Sequence, residues 1–202
     1  MSQEVLEIVK GMDFKQIETQ LALQCAPLIA GLKASNLLII PKENVPKVKH
    51  ILKRTILSYF ILYVGEEKTI LLVYDASSLG EYLGRKKVKN LLLQWGYEEN
   101  GIRAWLYLLQ ERYTKYVKER ANFPHEMGLF LGYPVEDVVG FIENSGKNSL
   151  YSGYWKVYGD VSEKIKLFQR FDMAKESLIQ FLASGMTILD AINQKQIYQI
   201  SV

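Results

Sequence analysis

Cysteine and histidine are the scarcest reactive residues of this chain, with one cysteine and two histidines among 202 residues. A single cysteine excludes an intramolecular disulfide and any zinc site built from several cysteines, so the core alone has to stabilise the fold. A chain of this length can bury most of its apolar surface without such links. An unpaired thiol is also typical of a reducing compartment, and we expect a cytoplasmic protein.

Long apolar runs are missing as well. The amino terminus carries Glu4, Glu7 and Asp13 where an export signal would need an uninterrupted apolar stretch. The most apolar region, residues 56–74, is interrupted by Gly-Glu-Glu-Lys at 65–68, so no run approaches the ~20 residues of a membrane helix. We therefore expect neither an export signal nor a membrane partner.

A strong charge of either sign is the third absence. The net charge is only +3, and the basic residues gather in two segments, 42–54 and 85–89. Solvated helix faces explain such segments, and no RNA-recognition or helix-turn-helix pattern accompanies them. The composition therefore argues against a nucleic-acid partner.

The order of the periodic segments predicts one α+β domain over residues 1–202. Residues 55–64 and 69–74 are rich in β-branched and aromatic side chains and predict a β-hairpin at the centre of a small mixed sheet of about four strands. Helices should cover both faces of this hairpin, because its strands are nearly continuous apolar runs. Other predicted elements are a helix over 13–24 that ends at Cys25-Ala26-Pro27, a strand over 36–40 and a helix after Asn44. An αα-hairpin of long helices over 77–95 and 99–120, a strand over 151–158 and a helix over 161–183 follow.

Glycine, proline and aromatic residues are concentrated between residues 123 and 159. Pro124 predicts the start of a short helix that carries His125 and Glu126 in its first turn, and Pro134 or Val135 opens another helix. Glu136 and Asp137 then lie in that first turn, where the helix dipole favours carboxylates. In the strand predicted over 151–158, Trp155 and Val157 should point into the core, and Tyr154, Lys156 and Tyr158 should share the opposite face.

Familiar catalytic motifs fail on spacing in this stretch. Leu129 occupies the position where a zinc protease helix would carry its second histidine after His125-Glu126. Residues 140–148 lack the spacing and the Ser or Thr of a phosphate-binding loop. Neither G-x-S-x-G nor G-x-G-x-x-G occurs, which removes the simplest hydrolase and dinucleotide-binding hypotheses.

Three patterns together resemble an uncharacterised bacterial family, a domain of unknown function found widely in anaerobic Gram-positive bacteria. They are C-A-P-x-x-x-G-x-K at Cys25 to Lys33, H-E-x-G-x-x-L-G-Y-P-x-x-D-V-x-G-F-I at 125–142, and G-Y-W-K-V-Y at 153–158. The resemblance covers most of the chain and implies no activity. It does imply that Cys25, Lys33, His125 and Glu126 belong to one functional arrangement.

Three classes of function stay open, of which a binding module ranks first. Its site would hold a small molecule or cofactor whose identity the sequence leaves unknown. The ligand-binding residues would be Lys33, Tyr133, Asp137, Tyr154, Trp155 and Tyr158, with His125 and Glu126 as further polar groups. The second class is an enzyme with Cys25 as nucleophile and His125 as base, oriented by Glu126 or Asp137. The third is an interaction protein, and no metal site is predicted because Cys25 and His125 are only two ligands.

The state of Cys25 decides between the first two classes. After a helix carboxyl terminus the dipole raises a thiol pKa, whereas a new helical turn beginning at Pro27 would lower it. A small buried hydrophobe is the alternative fate of a lone cysteine. Because Cys25 and His125 both lie beside prolines at predicted breaks between helices, they are predicted to share one pocket.

Overall fold

Three antiparallel strands form the main sheet, β1 (Ser35–Pro41), β2 (Leu57–Val64) and β3 (Lys68–Asp75), in the order β1-β3-β2. This is the arrangement in a computed structural model that describes residues 3–193, without the side chain of Glu4. The predicted β-hairpin is confirmed as β2 and β3, and β3 is the central strand. A second, two-stranded ribbon consists of β4 (Tyr151–Ser152) and β5 (Lys156–Val157).

Ten α-helices surround the strands within the described range. They are α1 (Gln3–Gly11), α2 (Ile17–Ile29), α3 (Val45–Leu52), α4 (Ala76–Gly84), α5 (Lys86–Gln94), α6 (Ile102–Glu119), α7 (Met127–Phe130), α8 (Val135–Glu143), α9 (Val161–Ala183) and α10 (Ile188–Asn193), with a 3-10 turn at Lys42–Asn44. The α+β class is confirmed. Among residues 3–193, no helix is both long enough and apolar enough to cross a membrane.

Both faces of the sheet are covered, as the apolar character of the hairpin predicted. Successive strand residues point to opposite faces, so Leu71 and Val73 of β3 join one core with α2, α3, α9 and α10. Leu72, between them, joins a second core with Leu62 and helices α4 to α8. The sheet therefore separates two apolar layers. The predicted site stretch is divided, because residues 127–138 join the second core, whereas Trp155 and Val157 form a third, smaller cluster with Phe168 and Phe171 of α9.

Two glutamines bind the open edges of the sheet. Gln24 of α2 donates from Nε2 to the Ile39 carbonyl at 3.0 Å and accepts from the Ile39 amide at 2.9 Å. On the other edge, Gln110 of α6 donates to the Ile61 carbonyl at 2.5 Å. These bonds occupy backbone groups that another chain could otherwise pair with.

Helix α2 is longer than the sequence predicted, and this places Cys25 differently. Pro27 does not end α2; its carbonyl accepts from the amides of Leu32 and Lys33 at 2.8 and 3.1 Å. The helix instead stops before Gly31, whose φ of 72° suits a left-handed helix end. Cys25 is thus an interior helix residue, and the predicted junction between helices at this position is wrong.

The sheet and the helices after it also differ in detail from the predicted outline. The sheet has three strands, all antiparallel, and the stretch predicted as a helix over 77–95 is divided into α4 and α5 at Arg85, whose ψ is 131°. Asp75 caps α4 by accepting from the Ser78 amide at 2.8 Å. The last long helix was predicted correctly as α9, with Asp160 accepting from the Glu163 amide at its start.

Candidate functional site

A cavity of about 440 Å³ lies where α7, α8 and the β4–β5 ribbon meet. Its lining consists of Leu37, Phe123, His125, Met127, Gly128, Leu131, Tyr133, Asp137, Val138, Phe141, Ser152, Gly153, Tyr154, Trp155 and Lys156. Every lining residue except Leu37 comes from the stretch that the sequence singled out. The volume is in the usual range for small-molecule sites, about 300 to 1,000 Å³. We call this space the aromatic cavity.

The ribbon that forms one wall replaces the single strand predicted over 151–158. The chain reverses at Gly153, whose amide donates to the Trp155 carbonyl at 3.1 Å. A Cβ at Gly153 would overlap the Phe168 ring of α9, so only glycine permits this close approach. Trp155 and Val157 are buried and Lys156 is exposed, as the alternating pattern predicted. The predicted position of Tyr154 on the opposite face is wrong, because Tyr154 packs on Phe168 and Phe171, the same rings that Trp155 contacts.

Asp137 attaches the ribbon to α8. It is buried in the first turn of α8, and its Oδ2 accepts from Trp155 Nε1 at 2.7 Å. Its Oδ1 accepts from the amides of Tyr158 and Gly159 at 2.7 and 3.2 Å. Asp137, one of the predicted ligand-binding residues, lines the aromatic cavity, but both of its oxygens already bind the ribbon.

Aromatic rings form most of the cavity wall. Tyr133 stacks on Trp155 with 4.6 Å between ring centroids and 25° between planes. His125 lies between Phe123 and Phe141, with centroid distances of 5.6 and 5.5 Å. The His125 ring is half-buried, and among the described residues neither of its nitrogens has a hydrogen-bond partner. An imidazole with free nitrogens can both donate and accept, so His125 is an uncommitted polar group of this wall. Among the described lining residues, the Tyr133 and Ser152 hydroxyls also have no hydrogen-bond partner.

Two of the predicted tyrosines have partners outside the aromatic cavity. Tyr154 lines it, and its hydroxyl donates to Asp172 Oδ1 at 2.9 Å; burial and this carboxylate raise the Tyr154 pKa. The Tyr158 hydroxyl donates to the Lys147 carbonyl at 2.9 Å, and Tyr158 is not a lining residue. Tyr154 therefore stays a wall residue, and Tyr158 supports the ribbon from behind.

Glu126 forms an ion pair with a residue that the sequence did not suggest. Its Oε1 is 2.6 Å from Arg112 Nη1 and accepts from the Tyr97 hydroxyl at 3.2 Å. Arg112 also donates to the Trp95 carbonyl at 2.7 Å and lies 4.9 Å from the centroid of the Tyr97 ring. Glu126 does not line the aromatic cavity and does not contact His125 by a hydrogen bond among the described residues. The ion pair between Glu126 and Arg112 therefore links the start of α7 to α6.

Cys25 lies in the core between the sheet and α9, with no exposed surface. Burial raises the pKa of its thiol to about 12. Cys25 lines neither the aromatic cavity nor a smaller one beside Lys33, so the predicted pocket shared by Cys25 and His125 is not formed there. A buried neutral thiol is a poor nucleophile, because the thiolate is the reactive form.

Lys33 is half-buried and lies behind the aromatic cavity. Its Nζ is 5.2 Å from the centroid of the Tyr133 ring. Burial lowers the pKa of its ammonium group to about 8, and the Cys25 thiol opposes this shift. Lys33 therefore contacts a cavity residue without lining the aromatic cavity itself.

Raising the pH from 7 to 9 is expected to increase the free energy of unfolding by at most about 1 kcal/mol. The Lys33 pKa is about 8 in the folded chain and ordinarily 10.5. Between these values the unfolded chain binds more protons, so stability rises with pH. The Cys25 thiol acts in the opposite direction, since its pKa is raised from 9.0, and reduces the gain.

Lys33→Met should remove this rise, and the exposed Lys53→Met, as a matched control, should retain it. Urea denaturation at pH 7, 8 and 9 measures how the free energy of unfolding depends on pH in the wild type and in both variants. Equal pH dependence in the wild type and Lys33→Met would contradict the expectation.

One family model matches the chain, over residues 21–192, and its description is "protein of unknown function (DUF3793)". No curated protein and no solved structure matched. The matched range includes most of α2, the main sheet, the aromatic cavity and α9. The chain belongs to the DUF3793 family of proteins of unknown function.

Proposed function

We propose that this chain is a binding module and that the aromatic cavity takes a small, planar, uncharged molecule. The single observation that carries the proposal is an aromatic cavity of about 440 Å³ with a half-buried imidazole whose nitrogens have no partner in the described part of the chain. Stacked and edge-on aromatic rings favour a flat ligand. The free imidazole favours a ligand with one hydrogen-bonding group.

The charges around the aromatic cavity support an uncharged ligand. Asp137 is already bound to the ribbon through both oxygens. Lys156 donates to the Gly146 carbonyl and lies 6.0 Å from the centroid of the Phe141 ring. Burying a charge without a new partner would cost free energy, so a ligand with one neutral polar group fits better than an ion. A cysteine-dependent reaction gains no support, because Cys25 is fully buried.

The two histidines of the chain provide a direct test. His125 lines the aromatic cavity, whereas His50 is exposed on α3. We expect 2-naphthol, a neutral fused ring with one hydroxyl, to shift the imidazole proton signals of His125 and leave those of His50 unchanged in proton nuclear magnetic resonance spectra. The variants His125→Phe and His50→Phe assign the two sets of signals.

A blocking variant makes the same test specific to the cavity. Ser152 lies on the exposed rim, so Ser152→Phe should fill the entrance and abolish the shift of the His125 signals. Ser77→Phe, at an exposed serine that does not line the aromatic cavity, should leave the shift of the His125 signals unchanged. Absence of any His125 shift at millimolar 2-naphthol, or a shift that survives in Ser152→Phe, would overturn the proposal.

A further inference from the structure

A smaller cavity of about 240 Å³ lies on the other side of Trp155. It is bounded by the end of α2, the helix α4 and one face of α9. Its polar lining includes Lys33, Glu81, Tyr82 and Arg85, and its apolar lining includes Leu167 and Phe171. We call it the basic cavity. Trp155 is its only lining residue in common with the aromatic cavity.

The charges of the basic cavity do not cancel. Arg85 Nη2 is 3.5 Å from Glu81 Oε1, and both side chains are mostly exposed. Lys33 is more enclosed, and among the described residues its ammonium group has no ion-pair or hydrogen-bond partner. Two cations and one carboxylate therefore leave one positive charge beside an apolar surface.

Ser78 and Tyr82 are the other polar side chains that line the basic cavity, and neither is a charged partner for Lys33. The Tyr82 hydroxyl donates to the Tyr133 carbonyl, and burial raises the Tyr82 pKa. Tyr82 thus cannot neutralise Lys33. An enclosed ammonium group without a partner is unfavourable until an anion supplies the missing contact.

We propose that the basic cavity binds a small organic monocarboxylate. Lys33 contacts the carboxylate from the inner side and Arg85 from the rim, and guanidinium and ammonium groups are the usual donors to carboxylates in proteins. The short apolar part of the ligand packs against Trp155, Leu167 and Phe171. The one positive charge left after Glu81 matches the single charge of such an acid. This site is independent of the function proposed for the aromatic cavity.

The protonation of Lys33 gives the site a pH dependence. The titratable and charged groups around Lys33 are the Cys25 thiol, the Tyr133 and Tyr82 phenols, Glu81 and Arg85. Burial raises the pKa values of the thiol and both phenols, so these groups stay neutral near pH 8. Lys33, with a pKa of about 8, is the group that loses charge as the pH rises through this range. The binding of an anion requires the ammonium form, so affinity falls above pH 8.

Butyrate is the probe, because it is aliphatic and small enough for the basic cavity, and butyramide is its uncharged counterpart. Titration of the full chain, followed by the broadening of the ligand methyl signal in nuclear magnetic resonance spectra, should show butyrate binding at pH 7 and no butyramide binding. Between pH 7 and 9.5 the butyrate affinity should fall, by up to about 30-fold, as Lys33 loses its proton.

Matched variants separate the site from general charge effects. Lys33→Gln and Arg85→Gln should each weaken butyrate binding at least tenfold, whereas Lys53→Gln and Lys87→Gln, at exposed lysines outside both cavities, should not. Ser152→Phe should leave butyrate binding unchanged, because Ser152 lines only the aromatic cavity. This variant therefore tests the proposal for the basic cavity separately from the proposal for the aromatic cavity. Equal binding of butyramide, equal losses in the control variants, or inorganic phosphate binding as tightly as butyrate would overturn the proposal.

Discussion

Replacing Trp155 with Ala is expected to lower the free energy of unfolding by about 3–5 kcal/mol, the range for removing a large buried aromatic side chain. Trp155 is 9% exposed, stacks on Tyr133 and meets the Phe168 ring edge-on at 4.6 Å. The substitution also removes the Nε1 donor at 2.7 Å from Asp137 Oδ2 and leaves that buried carboxylate with fewer partners. Urea denaturation measures the loss.

Two further tryptophan variants divide this loss into its causes. Trp155→Phe keeps a ring for stacking but lacks the donor to Asp137, so its loss should lie between the wild type and Trp155→Ala. Trp95→Ala removes a half-buried tryptophan of the second core and should cost less. A Trp155→Ala chain as stable as the wild type would show that this packing does not hold the ribbon in place.

Replacing Arg112 with Met should cost about 3 kcal/mol, the low end of the range for breaking a buried ion pair. The Glu126 side chain is 9% exposed and would lose the guanidinium 2.6 Å from its Oε1, whereas Arg112 itself is 32% exposed and partly solvated. The bond from Arg112 Nη2 to the Trp95 carbonyl is also lost. Methionine retains most of the apolar side chain, so the effect reports mainly the lost charge and hydrogen bonds.

A double-mutant cycle identifies the cause of this loss. Glu126→Gln removes the buried charge and keeps an oxygen that can accept from Tyr97, so Arg112→Met combined with Glu126→Gln should be more stable than Arg112→Met alone. Lys115→Met breaks the exposed Lys115–Glu111 pair of the same helix, which has the same 2.6 Å distance, and should change stability little. Additive losses across the cycle would contradict coupling between Arg112 and Glu126.

Local signals in the sequence were sufficient for much of the fold and for the position of the candidate site. The hairpin of β2 and β3 followed from its apolar strands and short connection, and α9 from the periodic segment over 161–183. The density of glycine, proline and aromatic residues between 123 and 159 identified the stretch that supplies nearly the whole aromatic cavity. Caps, turns and alternation act between near neighbours, so such features can be predicted without knowing the tertiary structure.

The partners of the chemically active side chains were decided only by the tertiary structure. Glu126 pairs with Arg112 fourteen residues away, Asp137 binds Trp155 across two elements, and Lys33 lies beside Tyr133 one hundred residues further along the chain. Cys25 is buried because α2 continues past Pro27 to Ile29, and the burial comes from packing of α2 against the sheet and α9. The sequence by itself therefore determined which residues are available for a site. Their partners, burial and protonation depend on long-range contacts, because those contacts set the solvation and the neighbouring charge of each group.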